Sequence, residues 1–215
     1  MGKQIVTKLS DYKPYPYLIP NININFDIGT DEVVVESIMT VEPKTDKTSK
    51  LLLNGIHIEL ISICINGREL DAEEYQLSDD CLIVEKPPCS IFELKIKSSI
   101  NPFKNTSLEG LYLSSDMLTT QCEAEGFRRI CFHPDRPDVL SKYIVRIEAN
   151  YSEYPVLLSN GNRVRSGRIR ENPDRHEVFW EDPFPKPSYL FALVAGKLTK
   201  TSDTYKTYSG RTIDI

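Results

Sequence analysis

Alternation of apolar and polar residues is the feature that most restricts this chain. Ile22, Ile24, Phe26 and Ile28 fall on one side of an extended segment, with Asn23, Asn25 and Asp27 on the other. A period of two suits a strand with one buried face and is incompatible with an amphipathic helix. The turn-forming Gly29-Thr30-Asp31 follows, and residues 33–41, rich in β-branched side chains, predict the return strand of a hairpin. The pattern then recurs. Residues 51–53 precede Asn54-Gly55, residues 56–65 precede Asn66-Gly67, residues 82–84 precede Pro87-Pro88, and residues 91–96 alternate again. The second half adds candidate strands at 142–149, 156–159, 164–170, 177–181 and 189–198. Turn signals about every 8 to 12 residues describe an antiparallel β-sandwich or saddle. No apolar stripe of helical period exceeds about two turns, so the chain reads as all-β with few short helices, the best candidate being residues 137–142. Pro183, Pro185 and Pro187 predict a stiff connector over residues 182–188, outside any central ladder. The unbroken apolar run 190–195 predicts a strand buried on both faces.

A chain of 215 residues buries roughly 70% of its unfolded surface, enough for a core without covalent staples. With 40% hydrophobic and 27% charged residues and a mean hydropathy of −0.32, it belongs with soluble globular chains. The formal net charge of −5 and the lack of a long basic run argue against nucleic acid as a partner. The densest basic stretch, residues 163–175, is broken by Glu171 and Asp174 and follows Asn160-Gly161-Asn162, so it reads as a solvated hairpin rather than a phosphate groove. Residues 1–17 hold no apolar run of signal-peptide length, and nowhere is there the run of about 18 apolar residues that a membrane span needs. A cytoplasmic location without membrane contact is the expectation. The five cysteines are odd in number, irregularly spaced and without a Cys-x-x-Cys pair, which predicts free thiols.

The search for a catalytic set is mostly negative. None of the three histidines, His57, His133 and His176, lies four residues from another, so no His-Glu-x-x-His zinc helix is present. There is no Gly-x-Ser-x-Gly elbow, phosphate loop or dinucleotide fingerprint. Cys131 and His133 share a face of an extended chain and so form a candidate thiol and base. Nothing nearby orients the imidazole, which favours a half-buried thiol and a surface histidine before a turn at Pro134-Asp135, with Phe132 on the opposite side.

One segment is unusually polar amid apolar neighbours: Thr119-Thr120-Gln121-Cys122-Glu123-Ala124-Glu125-Gly126-Phe127-Arg128-Arg129, followed by Asp135-Arg136-Pro137-Asp138. Its charges suit either a salt-bridge network, the favoured reading, or a site for a cationic ligand. Gly126 lets the chain break, so the pattern does not decide which of Glu123 and Glu125 faces a cleft.

This run resembles the aminopeptidase N family's Thr-Gln-x-Glu-Ala, arginine, then Asp-x-Pro, and Gly110-Leu111-Tyr112 resembles the family's upstream Gly-Leu-Tyr. Leu158-Ser159-Asn160-Gly161-Asn162 and the stretch from Asp182-Pro183-Phe184-Pro185 to Ala195-Gly196 resemble further landmarks in the family's order. The form Gln-Cys-Glu-Ala-Glu-Gly-Phe-Arg is similar to the bacterial alanyl aminopeptidase branch. The resemblance implies a zinc-dependent aminopeptidase of four domains, the first a β-saddle and the second a thermolysin-like catalytic domain. The Gly-Ala-Met-Glu-Asn and His-Glu-x-x-His motifs would lie beyond Ile215, so zinc is implied for the full-length parent and none for this fragment, which would be inactive alone. Carried over by position, Glu123 matches the glutamate that binds the substrate's free α-amino group and Gln121 the glutamine beside the first side-chain pocket. A cis peptide at Glu123-Ala124 is implied as well. Glu125, Arg128, Arg129, Asp135, Arg136 and Asp138 read as structural, pinning the loop through ion pairs. The implied partners are peptide N-termini and the remainder of the same polypeptide. Residues 1–196 are then the saddle domain and residues 197–215 the opening strands of the catalytic domain. A stand-alone β-sandwich binding module is the alternative that needs no missing part.

Overall fold

The computed structural model describes residues 8–45 and 49–215. Its strands are β1 (Tyr17–Ile28), β2 (Val33–Pro43), β3 (Leu51–Asn54), β4 (Glu59–Ile65), β5 (Arg68–Glu69), β6 (Tyr75–Leu77), β7 (Cys81–Val84), β8 (Phe92–Ile100) and β9 (Gly110–Ser114). They continue as β10 (Met117–Gln121), β11 (Leu140–Asn150), β12 (Val156–Ser159), β13 (Asn162–Ile169), β14 (Asn172–Pro187), β15 (Leu193–Gly196), β16 (Thr204–Lys206) and β17 (Thr212–Asp214). The helical content among the described residues is limited to single 3-10 turns at Leu9–Asp11, Pro102–Lys104, Phe127–Arg129 and Ser188–Leu190. The all-β expectation holds, and no helix here is long and apolar enough to cross a membrane.

An eight-stranded sheet in the order β13-β14-β11-β1-β2-β8-β4-β5 is the frame. β12-β15-β10-β9 form a second sheet and β3-β7-β6 a third, while β16 and β17 form a two-stranded pair. Ile22, Ile24, Phe26 and Ile28 are all buried, as their spacing predicts. A register shift between Leu18 and Asn21 lets Tyr17 and Ile19 face the same core although their parity is opposite. Asn66 and Gly67, both at positive φ, make the tight turn between β4 and β5.

Four expectations are corrected. Residues 137–142 are not helical: Leu140 opens β11, and the buried series Val139, Ser141, Tyr143, Val145, Ile147 and Ala149 has a period of two. A serine in that series masked the alternation; its hydroxyl is satisfied by the Ile19 carbonyl at 2.5 Å. β11 also runs parallel to β1, a pairing that turn signals between neighbours do not report. The prolines at 183, 185 and 187 do not end a strand, because β14 continues through them to Pro187. Beyond Glu181 it has no β13 residue beside it, and its pairing with β11 is irregular between Tyr143 and Ser141, so the missing donors fall on an open edge and a bulge. The apolar run at 190–195 is not one doubly buried strand. Leu190 closes a 3-10 turn and is half exposed, and β15 alternates, with Leu193 and Ala195 in the core and Val194 partly out. His133, expected at the surface, is fully buried.

The first three sheets share one continuous core, to which β16 and β17 contribute no buried residue. At its centre Phe127 meets Phe191 edge-on at 5.2 Å between ring centroids, Tyr143 at 6.2 Å and His133 at 5.3 Å, while Phe191 stacks on Phe26 at 6.0 Å. This cluster joins β1 and β11 of the frame to the segment entering β15 and to the loop after β10. Truncating a buried phenylalanine of this kind costs about 3 to 5 kcal/mol. Phe127→Ala is therefore expected to lower the urea midpoint by that equivalent with little change in the slope of the transition, as measured by equilibrium unfolding of the chain.

Candidate functional site: the loop after β10

β10 ends at Gln121, paired with Gly110 of β9, and the chain then folds back on itself over residues 122–130. Cys122, Phe127 and Ile130 turn into the core, while Glu123, Ala124 and Glu125 stay exposed. The reversal is tight: a Cβ at Gly126 would lie 2.2 Å from the Gln121 carbonyl oxygen and 2.9 Å from the Gly110 nitrogen, so only glycine fits. The Gly126 amide donates to the Cys122 carbonyl at 2.8 Å, and Phe127–Arg129 form a 3-10 turn. The Glu123-Ala124 peptide bond is cis.

The charged residues of the segment divide sharply. Arg128 is pinned by Asp135: its backbone N–H and its Nε each donate to Asp135 Oδ2 at 3.1 Å, and Nη2 donates to the Asp135 carbonyl at 3.2 Å. Glu125 Oε1 also meets Arg128 Nη2, at 3.2 Å. Arg129 donates to Glu109 at 3.1 Å and lies 3.1 Å from His57 Nδ1. Arg136 forks onto Asp138 at 2.7 and 2.9 Å and holds the Lys13 carbonyl at 2.8 Å. Those Arg136 hydrogen bonds, against some cost of burial, hold the Asp138 carboxyl well below the usual range. Glu123 differs. Among the described residues no ion pair or hydrogen bond engages its carboxylate; its backbone carbonyl accepts the Gln121 side-chain amide at 3.0 Å. Geometry thus separates two carboxylates that spacing alone leaves equivalent: Glu125 is spent on Arg128, and Glu123 is exposed and unpaired.

The sequence reading missed the partners that come from afar. The Asp135 amide donates to Asn54 Oδ1 at 3.1 Å, Ser188 Oγ donates to Asp135 Oδ1 at 2.5 Å, and the Ile56 amide donates to the Arg128 carbonyl at 2.8 Å. Asn54-Gly55 and Pro187-Ser188 were visible only as a turn signal and a motif. The Cys131–His133 candidate fails as a nucleophile and base. Both are buried, neither His133 ring nitrogen has a hydrogen-bond partner among the described residues, and burial, helped by the Asp135 charge, pushes the Cys131 thiol far up. Burial with a further push from Asp135 likewise raises Cys122 to about 12, and all five cysteines are free thiols.

Among the described residues no three His, Cys, Asp or Glu side chains converge as a metal cage. His57 sits against Arg129, His176 Nε2 lies 2.7 Å from the Tyr154 carbonyl, and His133 packs against Phe127, so the histidines do not fit a zinc site. A groove of about 1140 Å³ beside Leu157, Trp180 and Leu198 does not touch Gln121 or Glu123.

With this geometry in place, the comparison with known proteins is specific. The profile of the peptidase M1 N-terminal domain matches residues 13–190. The chain belongs to the peptidase M1 N-terminal domain family. This M1 N-terminal domain is 46% identical over 207 residues to the aminopeptidase N of Caulobacter vibrioides, covering 96% of the chain and 24% of that protein. It superimposes on the crystal structure of Legionella pneumophila aminopeptidase A in complex with aspartic acid with a TM-score of 0.90 at 38% identity, covering 97% of the chain and 24% of that one. An M1 zinc metallopeptidase from Deinococcus radiodurans, at 14% identity, has the same fold with a TM-score of 0.76, over 93% of this chain and 46% of that one. The M1 domain thus spans about a quarter of the Caulobacter and Legionella proteins.

Burial drives the His133 pKa down from its ordinary 6.5 to about 4, against weaker upward pulls from Asp135 and the Pro134 carbonyl. Between those values the unfolded chain takes up a proton that the folded chain refuses, so stability is full above pH 6.5 and is lost as pH falls toward 4. The contribution approaches roughly 3 kcal/mol. A His133→Phe variant, which keeps a ring against Phe127, is expected to lose this part of the pH dependence in unfolding curves taken between neutral and acid pH.

Proposed function

We propose that this chain is the N-terminal substrate-recognition domain of a cytoplasmic zinc aminopeptidase that removes N-terminal residues from peptides. Glu123 binds the free α-amino group of the first residue and Gln121 lies beside its side chain. The observation that carries this reading is the unpaired, exposed Glu123 carboxylate on a loop whose other charges are all engaged. An α-amine titrates at about 7.7 to 8.0, and an ammonium–carboxylate hydrogen bond is worth about 1.5 to 3 kcal/mol when sheltered from water. In open solvent the same pair is worth about 0 to 1 kcal/mol. The shelter therefore has to come from a facing surface, which we assign to the remainder of the polypeptide, with residues 197–215 as its opening strands. That remainder would hold the zinc, as its Deinococcus relative's description as a zinc metallopeptidase supports.

The chain's own part is recognition. Fixing the amine sets the distance from the chain end to the bond that is cut, which makes an exopeptidase from an otherwise general hydrolytic centre. By itself the fragment is expected to show no peptidase activity. In the full-length enzyme, Glu123→Ala is expected to lower kcat/KM for free-amine substrates about 10- to 100-fold with zinc content unchanged, measured by steady-state kinetics and metal analysis. Unaltered kinetics would remove the role given to Glu123.

A further inference from the structure

The Glu123 carboxylate has no side-chain partner among the described residues, so the loop backbone alone sets where its side chain starts and which way its Cα–Cβ bond points. That backbone is held at Gln121 by pairing with β9, at Glu123 by the Gln121 side-chain amide on its carbonyl, at Gly126 by the Cys122 carbonyl and at Arg128 by Asp135. The Asp135 side chain is 1% exposed and gathers Arg128 on Oδ2 and Ser188 on Oδ1. From Arg128 the line continues to Glu125, two residues from Glu123.

We propose that Asp135 is a positioning residue for amine recognition: by clamping Arg128 it fixes the aim of Glu123, and it influences catalysis through Glu123. This rests on the reading of Glu123 as the amine anchor. The cheaper explanation, that Asp135 only stabilises the fold, predicts a loss independent of Glu123. A clamp acting through Glu123 predicts that the two substitutions do not add.

The test is a cycle in the full-length enzyme comparing wild type, Glu123→Ala, Asp135→Asn and the double variant on one free-amine substrate. Asp135→Asn is expected to raise KM about 10-fold with kcat changed less than about 2-fold and zinc content intact, and to add less than about 2-fold to the loss already caused by Glu123→Ala. Equal losses from Asp135→Asn in both backgrounds would overturn the positioning role while leaving Glu123 as the anchor. Should Glu123→Ala itself be without effect, the anchor reading falls and the positioning role with it. If Asp135→Asn does not fold, Ser188→Ala removes a single hydrogen bond to the same carboxylate, and an expected KM rise of about 3-fold is read in the same cycle. Additive behaviour there overturns the proposal equally.

Discussion

A carboxylate buried as deeply as that of Asp135 has to be surrounded by donors; two other segments supply them, and a third accepts its backbone amide. Arg128 comes from the loop after β10, Ser188 from the turn after β14, and Asn54, which takes the Asp135 amide, from the end of β3. Desolvating the charge costs several kcal/mol, and deleting one partner of such a pair typically costs about 3 to 5 kcal/mol. The geometry of the loop is therefore over-determined from one side. On the other side Gly126 and Gly110 let two backbones approach to distances that any side chain would forbid.

Below this polar clamp lies the aromatic cluster of Phe127, Phe191, Tyr143, Phe26 and His133. Phe127 and Arg128 are adjacent in sequence and point opposite ways, one into the cluster and the other onto Asp135. Two adjacent residues thus tie the loop to the core and to the clamp. The outcome is an exposed glutamate on a loop held by buried contacts, the arrangement on which the proposed recognition of an amine relies.

Much of this was legible in the sequence because it depends on neighbours. Alternation along β1, β2 and β8 encodes which face is buried, and Asn66-Gly67 encodes its turn, since both follow from local backbone geometry. The ion pairs of the polar segment were legible as a group. What was hidden depended on distant residues. Ser141 sits in the core because Ile19 offers its carbonyl, the prolines of β14 are tolerated because β13 stops at their level, and His133 is buried because Phe127 and the Asn54 backbone close over it.

The loop after β10 shows the same division at its finest scale. By itself the sequence determined an all-β domain, free thiols and a polar loop in which two glutamates stand two residues apart. Only the tertiary structure distinguished them, giving Glu125 to Arg128 and leaving Glu123 without a partner. Spacing along a chain orders side chains on a face, but whether a charge is satisfied depends on what other parts of the molecule bring within about 3 Å of it.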